Sequence, residues 1–142
     1  MADTIRELII QDIKTQLGTL SDYTVYRGIT QYQNEDLPVI ALLPEMEESS
    51  REYGMQKSTA TININAIQVV GDTNPSVLGE QMLGELIACI IGGRANISRV
   101  EDIRYTGGGT GDYPDAEEQT IMVQCNIEVD YETLIGDPYT QP

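Results

Sequence analysis

"QTIMVQCNIEVDYET", residues 119–133, decides the fold. Ile121, Val123, Cys125, Ile127, Val129 and Tyr131 alternate with Met122, Gln124, Asn126, Glu128 and Asp130. A period of two sets the first group on one face of an extended strand and the second on the other. "STATININAIQVV", residues 58–70, repeats the pattern: Ala60, Ile62, Ile64 and Ala66 alternate with Thr59, Thr61, Asn63 and Asn65. Its polar face carries no charge. Ile67 and Val69 break the alternation, which predicts cover on both sides at that end. Strands with one apolar face need another layer to bury it.

Two amphipathic helices supply that layer. In "TIRELIIQDIKTQLG", residues 4–18, Thr4 stands three residues before Glu7, the pattern of a capping box. Ile5, Leu8, Ile9, Ile13 and Leu17 follow at helical spacing, and Gly18 stops the run. In residues 74–93, "NPSVLGEQMLGELIACIIGG", Asn74 caps and Pro75 takes the first helical position. Val77, Leu78, Met82, Leu86, Ile90 and Ile91 form the apolar stripe, and Gly92 and Gly93 end it. Gly79 and Gly84 inside it each cost about 1 kcal/mol relative to Ala. Their small size allows close approach to a sheet or to another subunit.

Three more segments read as strands: "YTVYRG" (residues 23–28), the apolar "LPVIALL" (37–43) between Pro38 and Pro44, and "SRVEDIRYT" (98–106). Between them lie a polar loop at 29–36, an acidic loop from Pro44 towards Lys57, and a glycine-rich loop from Gly107 to Glu118. The predicted order is α-β-β-β-α-β-β. It describes a single α+β domain over residues 1–132: a largely antiparallel or mixed β-sheet with two helices on one face. Residues 133–142 read as an irregular tail.

A chain of 142 residues suits one core, built here without Phe or Trp. The net charge of −15 argues against a dedicated nucleic-acid binder, whose affinity rests on neutralising phosphates, and against adhesion to an anionic membrane. No His is present, which removes the commonest general base and metal ligand. Cys89 and Cys125 each sit among apolar neighbours and are expected as buried, reduced thiols. The first residues lack the basic region of a signal peptide, and the longest apolar run is too short to span a bilayer. The expectation is a soluble protein made in the cytoplasm.

The glycine cluster invites a phosphate-loop reading, which its surroundings oppose. Such a loop needs Lys and then Ser or Thr opening a helix. Here Gly107, Gly108, Gly109 and Gly111 lead to Asp112, Tyr113, Pro114 and Asp115 and then to a strand. The expectation is a hairpin connection. Glu45, Glu47 and Glu48, or Asp112, Asp115, Glu117 and Glu118, have the chemistry for Ca²⁺ or a carboxylate pair but lack the EF-hand order, and read as solvated acidic loops. Neither a catalytic residue nor a cofactor or metal site is expected.

Taken together, several segments resemble the tail terminator proteins of long-tailed bacteriophages, the U-like minor tail or tail completion family. They are the N-terminal helix, "VYRG" before a polar loop, "LPVIALLPE" leading into acidic residues, and "STATININAIQVV". The helix "PSVLGEQMLGELIACI" and the closing "VEDIRYTGGGTGDYPDAEEQTIMVQCNIEVDYET" complete the likeness. It lies in order and lengths rather than in one motif. It implies a structural virion protein of the neck, assembled in the host cytoplasm, forming a ring, typically six-fold. Such a ring caps the tail tube, stops its polymerisation and provides the surface for head joining. The implied partners are further copies of the chain, the tail tube protein and a head–tail connector or stopper protein. DNA passes through without specific binding, and no membrane is involved. The family supplies no catalytic residue. The candidate interface residues are Glu45, Glu47, Glu48, Arg51, Arg99, Arg104, Asp112 and Asp115, with the three arginines as possible ion-pair partners between subunits. Two other readings stay open: another neck or tube component, such as a head-completion or stopper protein, and an acidic DNA-mimic inhibitor. A carboxylate-based metal hydrolase is disfavoured by the missing His.

Overall fold

Thr4 starts the first helix as its sequence predicts. Its backbone is extended (φ −67°, ψ 161°) and its hydroxyl accepts the Glu7 N–H at 3.1 Å. The Glu7 carboxylate does not close the capping box; it accepts instead from Arg27 of the neighbouring strand and from Gln11. The computed structural model describes residues 2–28, 37–112 and 120–142, with only the backbone of Gly111 and Asp112. In it, α1 spans Ile5–Leu17, β1 Thr24–Arg27, β2 Val39–Glu52, β3 Met55–Val69, α2 Pro75–Ile90, β4 Asp102–Asp112 and β5 Thr120–Leu134. The chain is an α+β domain with the order α-β-β-β-α-β-β. Its five strands form one sheet in the order β1-β2-β3-β5-β4, parallel between β1 and β2 and antiparallel elsewhere.

The period-two pattern does what the sequence asks. Across β3 and β5, Ile62 stands opposite Ile127, Ile64 opposite Cys125 and Ala66 opposite Val123, all buried. On β2, Ile40 and Leu42 extend this apolar face. Ile9, Ile13 and Leu17 of α1 and Met82, Leu86 and Ile90 of α2 join the same core. Each fully buried Leu, Ile or Met side chain contributes about 1.5–3 kcal/mol. Asn74 caps α2 by accepting the Ser76 N–H at 2.9 Å. The two α2 glycines have separate surroundings. A Cβ on Gly79 would lie 2.4 Å from the Thr110 hydroxyl, so the helix rests directly on the sheet, whereas one on Gly84 would meet nothing within 4 Å.

On the opposite face, Val39 and Ile67 are directly paired and buried. Cover on both sides holds for Ile67, whereas Val69 is 41% exposed.

Two expected loops are largely strand where described: Pro44 to Lys57 around a short turn, and Gly107 as far as Asp112. β2 runs through Pro44 and the glutamates to Glu52, and a two-residue turn at Tyr53 and Gly54 (φ 53° and 77°) leads into β3. Both turn residues have positive φ, the requirement of the tight hairpin turn whose twist matches its strands. The physical reason for the misreading is edge position. Among the described residues β1 covers only Val39–Leu42, leaving the remainder of β2 as an edge, where proline and charge are tolerated. A bulge sets Glu45 and Met46 against Thr61, and Arg6 donates to the Glu45 carbonyl there. Likewise β4 continues through the glycines, with Gly107 and Gly109 at φ 154° and 151°. A Cβ on Gly108 would stand 2.3 Å from the Gln124 carbonyl oxygen, so glycine is what lets β4 approach β5 there. Residues 29–36 and 113–119, including Asp115, lie outside the described residues.

After β5 the chain hooks back. Leu134 N–H donates to Thr140 O at 3.0 Å, and the Gln141 amide reaches the Arg99 and Glu132 carbonyls at 2.9 and 3.1 Å. Ile5 N–H donates to Pro138 O at 2.9 Å, so this hook also serves the free N-terminus of α1. Both cysteines are free and buried. Among the described residues no helix is long and apolar enough to cross a membrane.

Candidate functional site

Among the described residues no helix or strand covers the second face of the sheet, although Asn63 at its middle is buried, and its side chains follow from the strand register. Asn63 stands opposite Asn126, Asn65 opposite Gln124, Thr61 opposite Glu128, Thr59 opposite Asp130 and Lys57 opposite Glu132. β4 adds Arg104 opposite Glu128 and Asp102 opposite Asp130. The face therefore divides into an amide strip at mid-sheet and a charged field towards the β2–β3 turn.

In the strip, the Asn63 amide donates to the Asn126 side-chain carbonyl. The Asn65 Oδ1 is buried without a hydrogen-bond partner among the described residues. In the charged field, Arg104 gathers three carboxylates: Asp130, Glu128 at 2.8 Å and Asp102 at 3.1 Å. Thr59 adds a hydroxyl bond to Asp130 at 2.7 Å. The guanidinium hydrogen bond holds Asp130 below the usual carboxylate range, and the acids, Asp130 foremost, raise Arg104 further. Lys57 reaches Glu132 at 3.2 Å and lies over the Tyr53 ring at 5.7 Å. The neighbouring Glu132 holds the Glu101 carboxyl above its usual range, and Glu101 with Lys57 holds Glu132 below it. These groups border an open cleft of about 400 Å³ lined by Glu48, Ser50, Lys57, Glu101, Arg104 and Asp130.

The predicted interface residues are dispersed rather than gathered. Glu48 and Arg104 border that cleft. Glu47 faces the helix side, where its carboxylate accepts the Tyr131 hydroxyl. Glu45 is exposed at the bulge, Arg51 is exposed near the turn, and Asp112 ends β4 opposite Met122. Arg99, at φ 71°, bonds Asp12 of α1 at 3.3 Å. Arg99 and Arg104 thus both have carboxylate partners within their own chain. The partners of Arg104 were readable in principle. Asp102 is two residues away on its own strand, and Glu128 and Asp130 alternate on the polar face of β5.

The cleft's lysine and arginine are both bound by acids. Ser49 and Ser58 hydroxyls bond each other at 2.9 Å, with no His in the chain to act as base. Among the described residues no group of three or more Cys, Asp or Glu is arranged to hold a metal ion. No protein-family model matches the chain, and no curated protein matches it.

Proposed function

We propose that this chain is a tail terminator of a long-tailed bacteriophage, a structural protein of the virion neck rather than an enzyme. Copies of it form a ring, six-fold by the family resemblance, on the end of the tail tube. The ring stops tube growth and presents a surface to a head–tail connector or stopper. The observation that carries the reading is the one-sided sheet. Both helices lie on one face, and the other carries an uncharged strip of half-buried Asn65, Gln124 and Asn126 beside the buried Asn63. In a ring with the helices outward, that strip would line the channel. Amides and hydroxyls there would give DNA no cationic foothold, and a chain charge of −15 would keep a phosphate backbone from adhering.

The test is the mass in solution at near-physiological salt, by light scattering after size exclusion over a concentration series, with and without purified tail tubes. The expected result is a discrete species near six times 15.7 kDa, alone or on the tube end, that grows no further. Open-ended filaments would reassign the chain to the tube proteins. Failure to assemble alone and to bind tubes would overturn the reading in favour of an acidic inhibitor module.

A further inference from the structure

The sheet has two edges of different character. On one side β1 is four residues long, and the β2 edge beyond it carries Pro44, a bulge and glutamates, the devices that discourage strand pairing. On the other side β4 is the terminal strand, eleven residues long and, among the described residues, hydrogen-bonded only to β5. From Tyr105 to Gly111 it has neither charge nor proline, in a chain of net charge −15. Gly108 is exposed and Gly107 and Gly109 are half-exposed, and added Cβ atoms on the latter two would meet nothing within 4 Å. Gly108 has its reason in the approach to β5. Gly107 and Gly109, at φ 154° and 151°, have theirs in a backbone conformation that residues with side chains rarely adopt.

The sequence of this edge is nearly symmetric about Gly108: Arg104-Tyr-Thr-Gly-Gly-Gly-Thr-Gly-Asp112. We infer that the free edge of β4 pairs antiparallel with the same edge of a second copy, centred on Gly108. That register sets Thr106 opposite Thr110 and Gly107 opposite Gly109. At both ends it sets Arg104 opposite Asp112 and Tyr105 opposite Gly111. A large ring beside glycine fills the space that glycine leaves. Centring one residue earlier would set Asp102 against Asp112, like charges face to face. The β4 bulges fall between Tyr105 and Gly107 and between Thr110 and Asp112, flanking a regular central stretch. Such pairing is isologous, with one two-fold axis, and is separate from the head-to-tail contacts that close a ring.

The test uses the full chain. Size exclusion with light scattering from micromolar to millimolar concentration is expected to show a reversible species of twice 15.7 kDa. Thr106→Lys brings charge into the uncharged edge and is expected to weaken that species at least ten-fold, with circular dichroism unchanged. A mixture of Thr106→Cys and Thr110→Cys proteins is expected to form a 106–110 disulfide under mild oxidation. Thr106→Cys alone is not, because its two copies would lie about 13 Å apart along the strands. The cysteine pair also decides the matter should Thr106→Lys fail to fold. The absence of any two-fold species overturns the proposal. A two-fold species indifferent to Thr106→Lys assigns the contact to another surface, and cross-linking of Thr106→Cys alone overturns the register. A six-fold species unaffected by Thr106→Lys overturns the edge pairing and leaves the ring reading standing.

Discussion

The Tyr131 hydroxyl of β5 donates to the Glu47 carboxylate of β2, reaching across β3 on the helix side of the sheet. The tyrosine is 6% exposed, and burial first, then this acid, raises its pKa well above the usual 10.0. The bond adds a side-chain tie from the bulged half of β2, which is paired with β3, to β5 beyond it.

Tyr131→Phe is expected to lower stability by about 1 kcal/mol, leaving Glu47 without its donor. Urea unfolding should show a lower midpoint with an unchanged slope. A raised folded pKa means stability that is complete below the unfolded value of 10.0 and lost as pH rises through the folded one. Wild-type stability should therefore fall above about pH 10, and less steeply in Tyr131→Phe. Tyr23, pushed up to about 12, leaves part of that fall in the variant.

Replacing Arg104 with Met leaves Asp102, Glu128 and Asp130 facing one another. With 40% of the arginine side chain exposed, the loss at neutral pH should be about 1 kcal/mol, the scale of screened pairs. The sign with pH follows from Asp130, whose folded pKa lies below its usual value. Its stabilisation is present above the unfolded carboxyl pKa and disappears as pH falls through the folded one. Chemical denaturation at neutral pH and near pH 3 should show the gap between wild type and Arg104→Met closing in acid.

Glycine substitutions should split by surroundings. Gly84→Ala, with open space around it, is expected to stabilise by about 0.5–1 kcal/mol through helix propensity alone. Gly108→Ala would drive a methyl against the Gln124 carbonyl, a backbone atom that cannot turn aside, and should cost about 1–3 kcal/mol. Thermal midpoints of the two should move in opposite directions from wild type.

Neither thiol should react with a disulfide reagent in the native state at pH 8. Burial pushes Cys125 up to about 11, and burial likewise raises Cys89, whose thiol donates to the Gln16 carbonyl at 3.2 Å. Stopped-assay thiol titration should register both only as denaturant unfolds the chain. Fast labelling in buffer would contradict the packing described for α2 and β5.

What was legible in the sequence was whatever is buried on one side. Ile121 to Tyr131 alternate because one face meets the helices and the other does not, and Asn74 with Pro75 marks a helix start by local chemistry alone. What was illegible was exposed strand. Glu47, Glu48 and Glu52 resemble loop residues because an edge strand tolerates charge, and the glycines of β4 resemble a turn although Gly108 serves the approach to Gln124 and Gly107 and Gly109 a positive φ. Register, and with it the Arg104 cluster, depends on which strands become neighbours. A single strand's pattern carries no such information.

The bond from Ile5 N–H to Pro138 O makes near neighbours of two residues at opposite ends of the sequence. Topologically the domain is almost a closed circle. A short linker joining the segments that flank this bond, with the chain reopened at the Tyr53 and Gly54 turn, would yield a circular permutant with the same sheet. In the native connectivity, tags attached at either end would emerge side by side, where a pair of fluorophores would transfer energy efficiently while the domain is folded and lose that transfer on unfolding.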